Sequence, residues 1–372
     1  WLRYIILSKG IDLICLRGIL KGGSLECLKI SHQKGIPLHL PQSRPQRHPY
    51  QEPVTEIVPD QNLVLFNVVN LECLEYVYQH GCIYESRTTS NYYGRECSHY
   101  ARSGDLDCLK FAHTNNFPWT EQTTLEASKR SLECLQYAVK HKCPYNLRRC
   151  AFESLRVKNL DCFKYLLELG LEMTPEFTYK YINCGAQFEG HSLEILKFLH
   201  ELGCPFNSET IESTIEHQKI ECFEFVLSIG CPVSSTHLCM AASKNNLQML
   251  KILIEQGAPW TSEVCSEAAS EGHLDILKYA FKHNLEWDSK TTSCASYYNQ
   301  LECLRFAVNH DCPINIYASN AAASKGNLEC LIFLIENDCP IDQTTIEHAC
   351  WGGLRAHKCF QYLVSKGFSK KI

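Results

Sequence analysis

The chain has 372 residues, 45% of them hydrophobic and 21% charged, so it holds enough apolar material for a sizeable core. Its net charge of −5 at pH 7 and sequence pI near 6.4 come from interspersed signs, which excludes the basic footprint of a nucleic-acid binder and a polybasic membrane surface. No apolar run reaches the length of a membrane span, and Tyr4-Ile5-Ile6-Leu7 is cut short by Lys9 and Asp12, too soon for a signal-peptide core.

Taken in chain order, Leu2-Arg3-Tyr4-Ile5-Ile6 followed by Gly10 reads as the second half of a repeat, so Trp1 is expected to lie inside a helix of a longer protein. From there one pattern recurs twelve times, in forms such as LECLKIS, LDCLKFA, LEILKFL and LECLRFA. Its first residue serves as an anchor: Leu25, Leu71, Leu106, Leu132, Leu160, Leu193, Ile220, Leu247, Leu274, Leu301, Leu328 and His357. From Leu193 to Leu328 the spacing is 27 residues five times in succession. Self-similarity at such a period predicts a solenoid, in which a unit buries its apolar face only by stacking on its neighbours. Three intervals are longer. The first holds a proline-rich stretch, residues 41–60, which reads either as a linker or as retained non-coding sequence. The other two hold Ser86 to Arg95 and Thr174 to Gln187, both expected as surface loops. The expected organisation is truncated repeats over 1–40, the proline-rich insertion over 41–60 and one repeat array over 61–372.

Aligned on the anchors, the columns predict the local structure. The position before the anchor is Ser24, Asn70, Asp105, Ser131, Asn159, Ser192, Asn246 or Asn327 in eight copies, side chains that accept from unpaired amides at a helix start. The next position past the anchor is acidic in ten copies, where a carboxylate meets the positive end of the helix dipole. A basic residue three further on, as in Asp107/Lys110 and Asp275/Lys278, adds an exposed pair. Ten residues past the anchor stands Gly, Asn or Asp in eleven copies, residues that tolerate a left-handed conformation and close a helix, and Pro follows two residues later in eight. Upstream lies a second, more variable helix with paired small residues, as in Cys239-Met240-Ala241-Ala242 and Ala322-Ala323-Ser324. Each unit therefore reads as helix, tight turn, helix, loop.

At Thr236 to Ala242, Ala268 to Lys278 and Leu250 to Ala258 the sequence resembles the ankyrin repeat, with its TPLHLAA, GHLEVVKLL and GAD elements. The usual ankyrin period is about 33 residues. The shorter period here, with Cys-Pro-Trp or Cys-Pro-Ile after the second helix, resembles the short variant that giant DNA viruses and protists carry in many copies. The resemblance implies an all-α solenoid of about twelve stacked helix-turn-helix repeats with shortened or absent β-hairpin fingers. It also implies a non-catalytic scaffold that binds a protein partner through its concave face. The alternative is the substrate-recognition part of a ubiquitin-ligase adaptor whose F-box segment precedes Trp1.

The twenty-three cysteines invite a disulfide or zinc reading, and their columns argue against it. Nine fall two residues past the anchor and six fall eleven past it, and in other copies the same slots hold Ile, Met, Leu, Phe or Ala. Cys here acts as a small hydrophobe, and no close pairs offer tetrahedral zinc ligation. Free thiols and no secretory signal predict a reducing compartment, cytoplasm or nucleus. No cofactor, catalytic residue or metal ligand is expected: the chain has no GxSxG, HExxH or phosphate-binding Gly-Lys-Ser/Thr motif. His348 and Cys350 could be drawn as a catalytic couple, but the favoured reading packs Cys350 inward with His348 at the helix edge. Trp119, Tyr145, Phe206 and Trp260, just beyond the prolines, are expected to cover neighbouring repeats in preference to forming a binding ladder. Partner contacts are expected from Tyr92, Tyr93, Tyr179, Tyr181, Tyr297 and Tyr298, since tyrosine gives large contact area at little entropic cost. A monomer with a protein partner, no nucleic acid and no membrane completes the expectation.

Overall fold

The computed structural model describes residues 22–33, 70–80, 95–184 and 192–368. These contain twenty-two helices and, among the described residues, no strand. They fall into two compact units on either side of Glu172 and Met173. In the first unit α1 (Leu25–Gln33) and α2 (Leu71–Gln79) precede three helix pairs: α3 (Arg95–Ser103) with α4 (Leu106–Thr114), α5 (Glu121–Arg130) with α6 (Leu132–Lys140), and α7 (Leu147–Arg156) with α8 (Leu160–Glu168). The second unit has seven pairs. They are α9 (Glu176–Cys184) with α10 (Ser192–Glu201), α11 (Ser208–Glu216) with α12 (Ile220–Ser228), α13 (Ser235–Ser243) with α14 (Leu247–Glu255), and α15 (Ser262–Glu271) with α16 (Leu274–Lys282). They continue with α17 (Ser289–Tyr297) and α18 (Leu301–Asn309), α19 (Ile316–Lys325) and α20 (Leu328–Glu336), and α21 (Gln343–Trp351) and α22 (Gly353–Ser365).

Ten of the twelve anchors open a second helix, the exceptions being Leu193, one residue into α10, and His357, four residues into α22, and the reason is visible at the helix start. The side chains of Asn70, Asp105, Ser131, Asn159 and Asn246 accept from the amide three residues on, at 3.0 Å for Asn246 to Met249. Such a cap contributes about 1 kcal/mol. Two expected caps differ. Ser192 lies inside α10, and Asn327 turns its amide away from α20 to donate to the Ser296 and Tyr297 carbonyls at 2.7 and 2.9 Å. His273 and Gln300, in the same column, likewise reach the carbonyls of Ser243 and Ser270, at 2.9 and 3.2 Å. This position thus ties a second helix to the first helix of the preceding repeat.

Positions two, three and six past the anchor share one helical face, and that face is the core. Cys108, Leu109 and Ala112, Cys162, Phe163 and Leu166, and Met249, Leu250 and Leu253 are all fully buried. Each large aliphatic side chain so placed contributes about 1.5–3 kcal/mol. First helices bury small residues instead: Ala268 and Ala269, Thr291 and Thr292, Ala322 and Ala323. Within the second unit this lets successive first helices make more extensive contact with one another than the second helices do.

Left-handed residues stand at both ends of the second helices. The column ten past the anchor has positive φ in all ten described copies, from Asn116 (57°) to Gly367 (87°), including Lys142 (60°), the one copy without Gly, Asn or Asp. A second left-handed column lies in the turn two residues before the anchor: Gly104, Lys158, Gln218, Asn245, Gly272, Asn299 and Gly326.

The expected loop from Thr174 to Gln187 is in fact largely α9. Phe177, Thr178, Tyr181 and Ile182 are buried, an i, i+1, i+4, i+5 face that makes it a first helix despite the longer interval. Of the stretch Ser86 to Arg95 only Arg95, which opens α3, lies within the described residues, and residues 41–60 lie outside them.

Candidate interaction surface

The surface of the first helices is built on two neighbouring columns with opposite behaviour. Thr210, His237, Val264, Thr291, Ala318 and Thr345 are buried in six successive repeats of the second unit. The residues just before them, Glu209, Thr236, Glu263, Lys290, Tyr317 and Thr344, are exposed in those repeats and comprise four residue types. The framework therefore presents a row of interchangeable side chains at fixed spacing.

Hydroxyls and thiols of the framework satisfy the backbone beneath that row. Thr124, Thr292 and Ser319 donate to the carbonyls of Pro144, Pro313 and Pro340 at 2.7, 3.0 and 2.8 Å. The thiols of Cys143, Cys312 and Cys339 donate to the carbonyls of Thr120, Asp288 and Asn315 at 3.4, 3.3 and 3.3 Å. Burial pushes the thiols up, to about 12 for Cys143, Cys162, Cys265 and Cys312, so they stay protonated and weakly nucleophilic. Cys350 differs: it is exposed, not packed inward as its helical position suggested, because its column, buried at Ala269, Ser296 and Ala323 where a further first helix packs on it, has no such helix beyond α21 among the described residues.

The electrostatics of the two units contrast. In the first, Glu126 on α5 is buried, with its side chain 6% exposed, and accepts from Arg102 through two bonds of 3.1 Å and from Gln122 at 2.7 Å. Lys129 bridges it to Glu153 at 3.2 and 3.3 Å, and Arg156 pairs with Glu153 at 2.6 Å. Burial alone would raise the Glu126 carboxyl, but the cationic partners outweigh it and hold the group below its usual range; the same holds for Glu153. In the second unit the cross-repeat pairs are exposed: Lys244 with Glu216 at 2.6 Å and Lys290 with Glu263 at 3.5 Å.

Among the described residues one histidine is buried in the second unit's framework. His237 on α13 receives the Ser234 amide on Nδ1 at 3.1 Å, which leaves Nε2 protonated and 3.0 Å from Ser208 Oγ. Burial lowers its pKa, against a smaller upward pull from Glu212.

The second helices carry an aromatic seam. His113 stacks on Trp119 at 3.8 Å and bonds the Tyr137 hydroxyl at 2.9 Å, and His32 repeats that bond with Tyr76 at 3.0 Å. Phe281, Trp287 and Phe306 fill the same slots later on. Trp260 donates to the Glu286 carbonyl at 2.9 Å and Phe206 sits between His200 and Phe225, so these aromatics do pack between repeats, while Tyr145 stays 41% exposed. The expected pairs Asp107/Lys110 and Asp275/Lys278 form at 3.3 and 3.6 Å. The seam adds what the columns did not show: Lys29, Lys251 and Arg305 stand 5.0–5.8 Å over Tyr76, Tyr279 and Phe333 of the next repeat.

The tyrosines expected to touch a partner fall into three groups. Tyr92 and Tyr93 lie outside the described residues. Tyr181 is buried, 7% exposed, its phenol pushed up to about 12, while Tyr179 is half-buried on the same helix. Tyr297 and Tyr298, ring centroids 4.9 Å apart, are exposed at the end of α17, and Lys325 of the next repeat sits 4.2 Å over Tyr297. Among the described residues no cluster of three His, Cys, Asp or Glu side chains is placed to hold a metal, and no helix is long and apolar enough to cross a membrane.

Paired helices joined by left-handed turns and stacked through small first-helix residues define a helical-repeat protein. No protein-family model matches the chain, and no curated protein matches it. Ninety-four chains of solved structures match, one being the crystal structure of the human ASB11 ankyrin repeat domain. It is 15% identical over 52% of this chain and 85% of that one, with a TM-score of 0.33.

Proposed function

We propose that this chain is a non-catalytic protein-interaction scaffold that acts as a monomer and binds its partner through the concave, first-helix face. The observation that carries this reading is the pair of adjacent columns: a buried one that keeps the fold and an exposed one whose residues run Glu209, Thr236, Glu263, Lys290, Tyr317, Thr344. Folding asks little of those exposed side chains, so their identity is free to serve recognition. The protonated, buried thiols support the non-catalytic part, and the free cysteines suit a reducing compartment. Crosslinking pull-down with mass spectrometry, using the full chain and a Glu209→Lys, Glu263→Lys, Tyr317→Ala variant, tests it. The variant is expected to keep its thermal transition and lose the specific partner. A partner retained by this variant would refute the first-helix assignment.

A further inference from the structure

The last helix pair carries a second surface that the first-helix columns do not include. Trp351, 74% exposed, ends α21, and Leu354, 97% exposed, is the second residue of α22. Between them Gly352 packs against the Ser324 backbone so closely that a Cβ would collide, and His348 meets the Trp351 ring edge-on at 5.6 Å. The indole is therefore displayed from a braced position. Along α22, Ala356, Cys359 and Leu363 face the core, while Leu354, Lys358 and Gln361 follow one another at helical spacing on the outer face beside Arg355 and His357, all exposed. Lys325 of the preceding pair is also exposed.

Charge singles out this surface. The chain as a whole is at −5, yet residues 348–372 contain no Asp or Glu and five basic residues, Arg355, Lys358, Lys366, Lys370 and Lys371. Among the described residues Arg355 and Lys358 form no ion pair. Two bare apolar side chains flanked by unpaired cations select a ligand that is anionic and has an apolar side chain of its own.

We propose that the Trp351–Leu354 edge, with Arg355 and Lys358, is a docking site for an acidic peptide segment of a partner protein, an apolar side chain seated on Trp351 and Leu354 and carboxylates on the cations. The inference rests on the scaffold reading and names a second contact beyond the first-helix face. An anionic membrane would need a longer apolar stripe, and α22 spends its other face on the core. A nucleic acid would engage the cations and stack on Trp351 but leave the aliphatic Leu354 bare.

Panning a peptide-display library on the full chain tests the proposal. The enriched peptides are expected to carry net negative charge around a large apolar residue. Their affinity should fall at least about tenfold on Arg355→Glu/Lys358→Glu and on Trp351→Ser/Leu354→Ser, the loss of a strong contact. It should also weaken as salt is raised. An unchanged melting transition in each double variant shows that the fold survives. Enrichment of neutral or basic peptides, no enrichment, or affinity unchanged from the parent chain on either variant would overturn it. Sedimentation of the chain with phosphatidylserine vesicles, lost in Arg355→Glu/Lys358→Glu, would also overturn it and assign the edge to membranes. The scaffold reading is decided separately by the first-helix pull-down, so a partner lost there but kept by both edge variants sinks this inference alone.

Discussion

The first-helix seams of the two units are filled in different ways. In the unit before Met173 the seam across α3, α5 and α7 is a charged chain, Arg102–Glu126–Lys129–Glu153–Arg156, with Glu126 nearly out of solvent. In the unit after it, α15, α17 and α19 meet through Ala268, Ala269, Thr292, Ser296, Ala322 and Ala323, and the ion pairs are left at the exposed rim. One backbone framework accepts both. The lesson is that the repeat fixes spacing and leaves the chemistry of the seam open, so the two units should answer differently to charge removal and to pH.

That difference can be broken most strongly at Arg102. Arg102→Ala leaves the buried Glu126 with one cation and should cost about 1–2 kcal/mol, since Lys129 and Gln122 remain and Arg102 itself is largely exposed, read as an earlier urea transition of the first unit. Lys290→Ala removes an exposed pair and should cost under about 0.5 kcal/mol in the second.

Acid separates the units by window. His237 has a folded pKa below the usual 6.5, so the unfolded chain takes up the proton first; stability is complete above that value and declines as pH falls below it. Glu126 and Glu153 are held below 4.5, so their contribution persists to that pH and is lost as pH drops further. The second unit should therefore begin to weaken near pH 6.5 and the first chiefly below 4.5, with a smaller earlier contribution from partly exposed His113, whose pKa is also lowered by burial. Urea melts across pH 7.5 to 4 read this, and His237→Gln should abolish the earlier window. A first unit that weakens before the second would contradict the assignment.

Smaller effects test what the units share. Lys219, in the column before the anchor, gives α12 no side-chain cap, so Lys219→Asn should stabilise by about 1 kcal/mol. Lys142 holds φ 60° where most copies have Gly, and Lys142→Gly should add about 0.5 kcal/mol; a loss at either site would show that the column logic fails there.

The comparison also shows what was legible beforehand. Anchors, caps and helix ends were readable because each depends on a local residue type at a fixed offset, such as Asn246 before Leu247 or Gly257 after it. The helix over Glu176–Cys184 was hidden because the longer interval breaks the period, although Phe177, Tyr181 and Ile182 carry a helical face. The left-handed turn before the anchor carries glycine in only some copies, such as Gly272 and Gly326, and Lys158 and Gln218 give no local sign of positive φ. The Glu126 chain does recur at 27 residues, as Glu126/Glu153 and Arg102/Lys129/Arg156, but it lies on the more variable first helices and stops after α7, so the second-helix columns gave no sign of it. Candidate contact residues were the least legible: tyrosine chemistry singled out Tyr179 and Tyr181, but helix phase decides that one is half-buried and the other inside.

The backward-reaching bonds of His273, Gln300 and Asn327 have a consequence for how such a chain can lengthen. Donor and acceptor lie 30 or 31 residues apart, each second helix looking only to the repeat before it. An in-frame duplication of 27 residues from this region therefore copies a donor together with an acceptor for the next donor, and every new seam closes with bonds already specified. Growth by tandem copying should cost this architecture little, whereas a duplication whose length is not a multiple of 27 would strand a side chain at its junction.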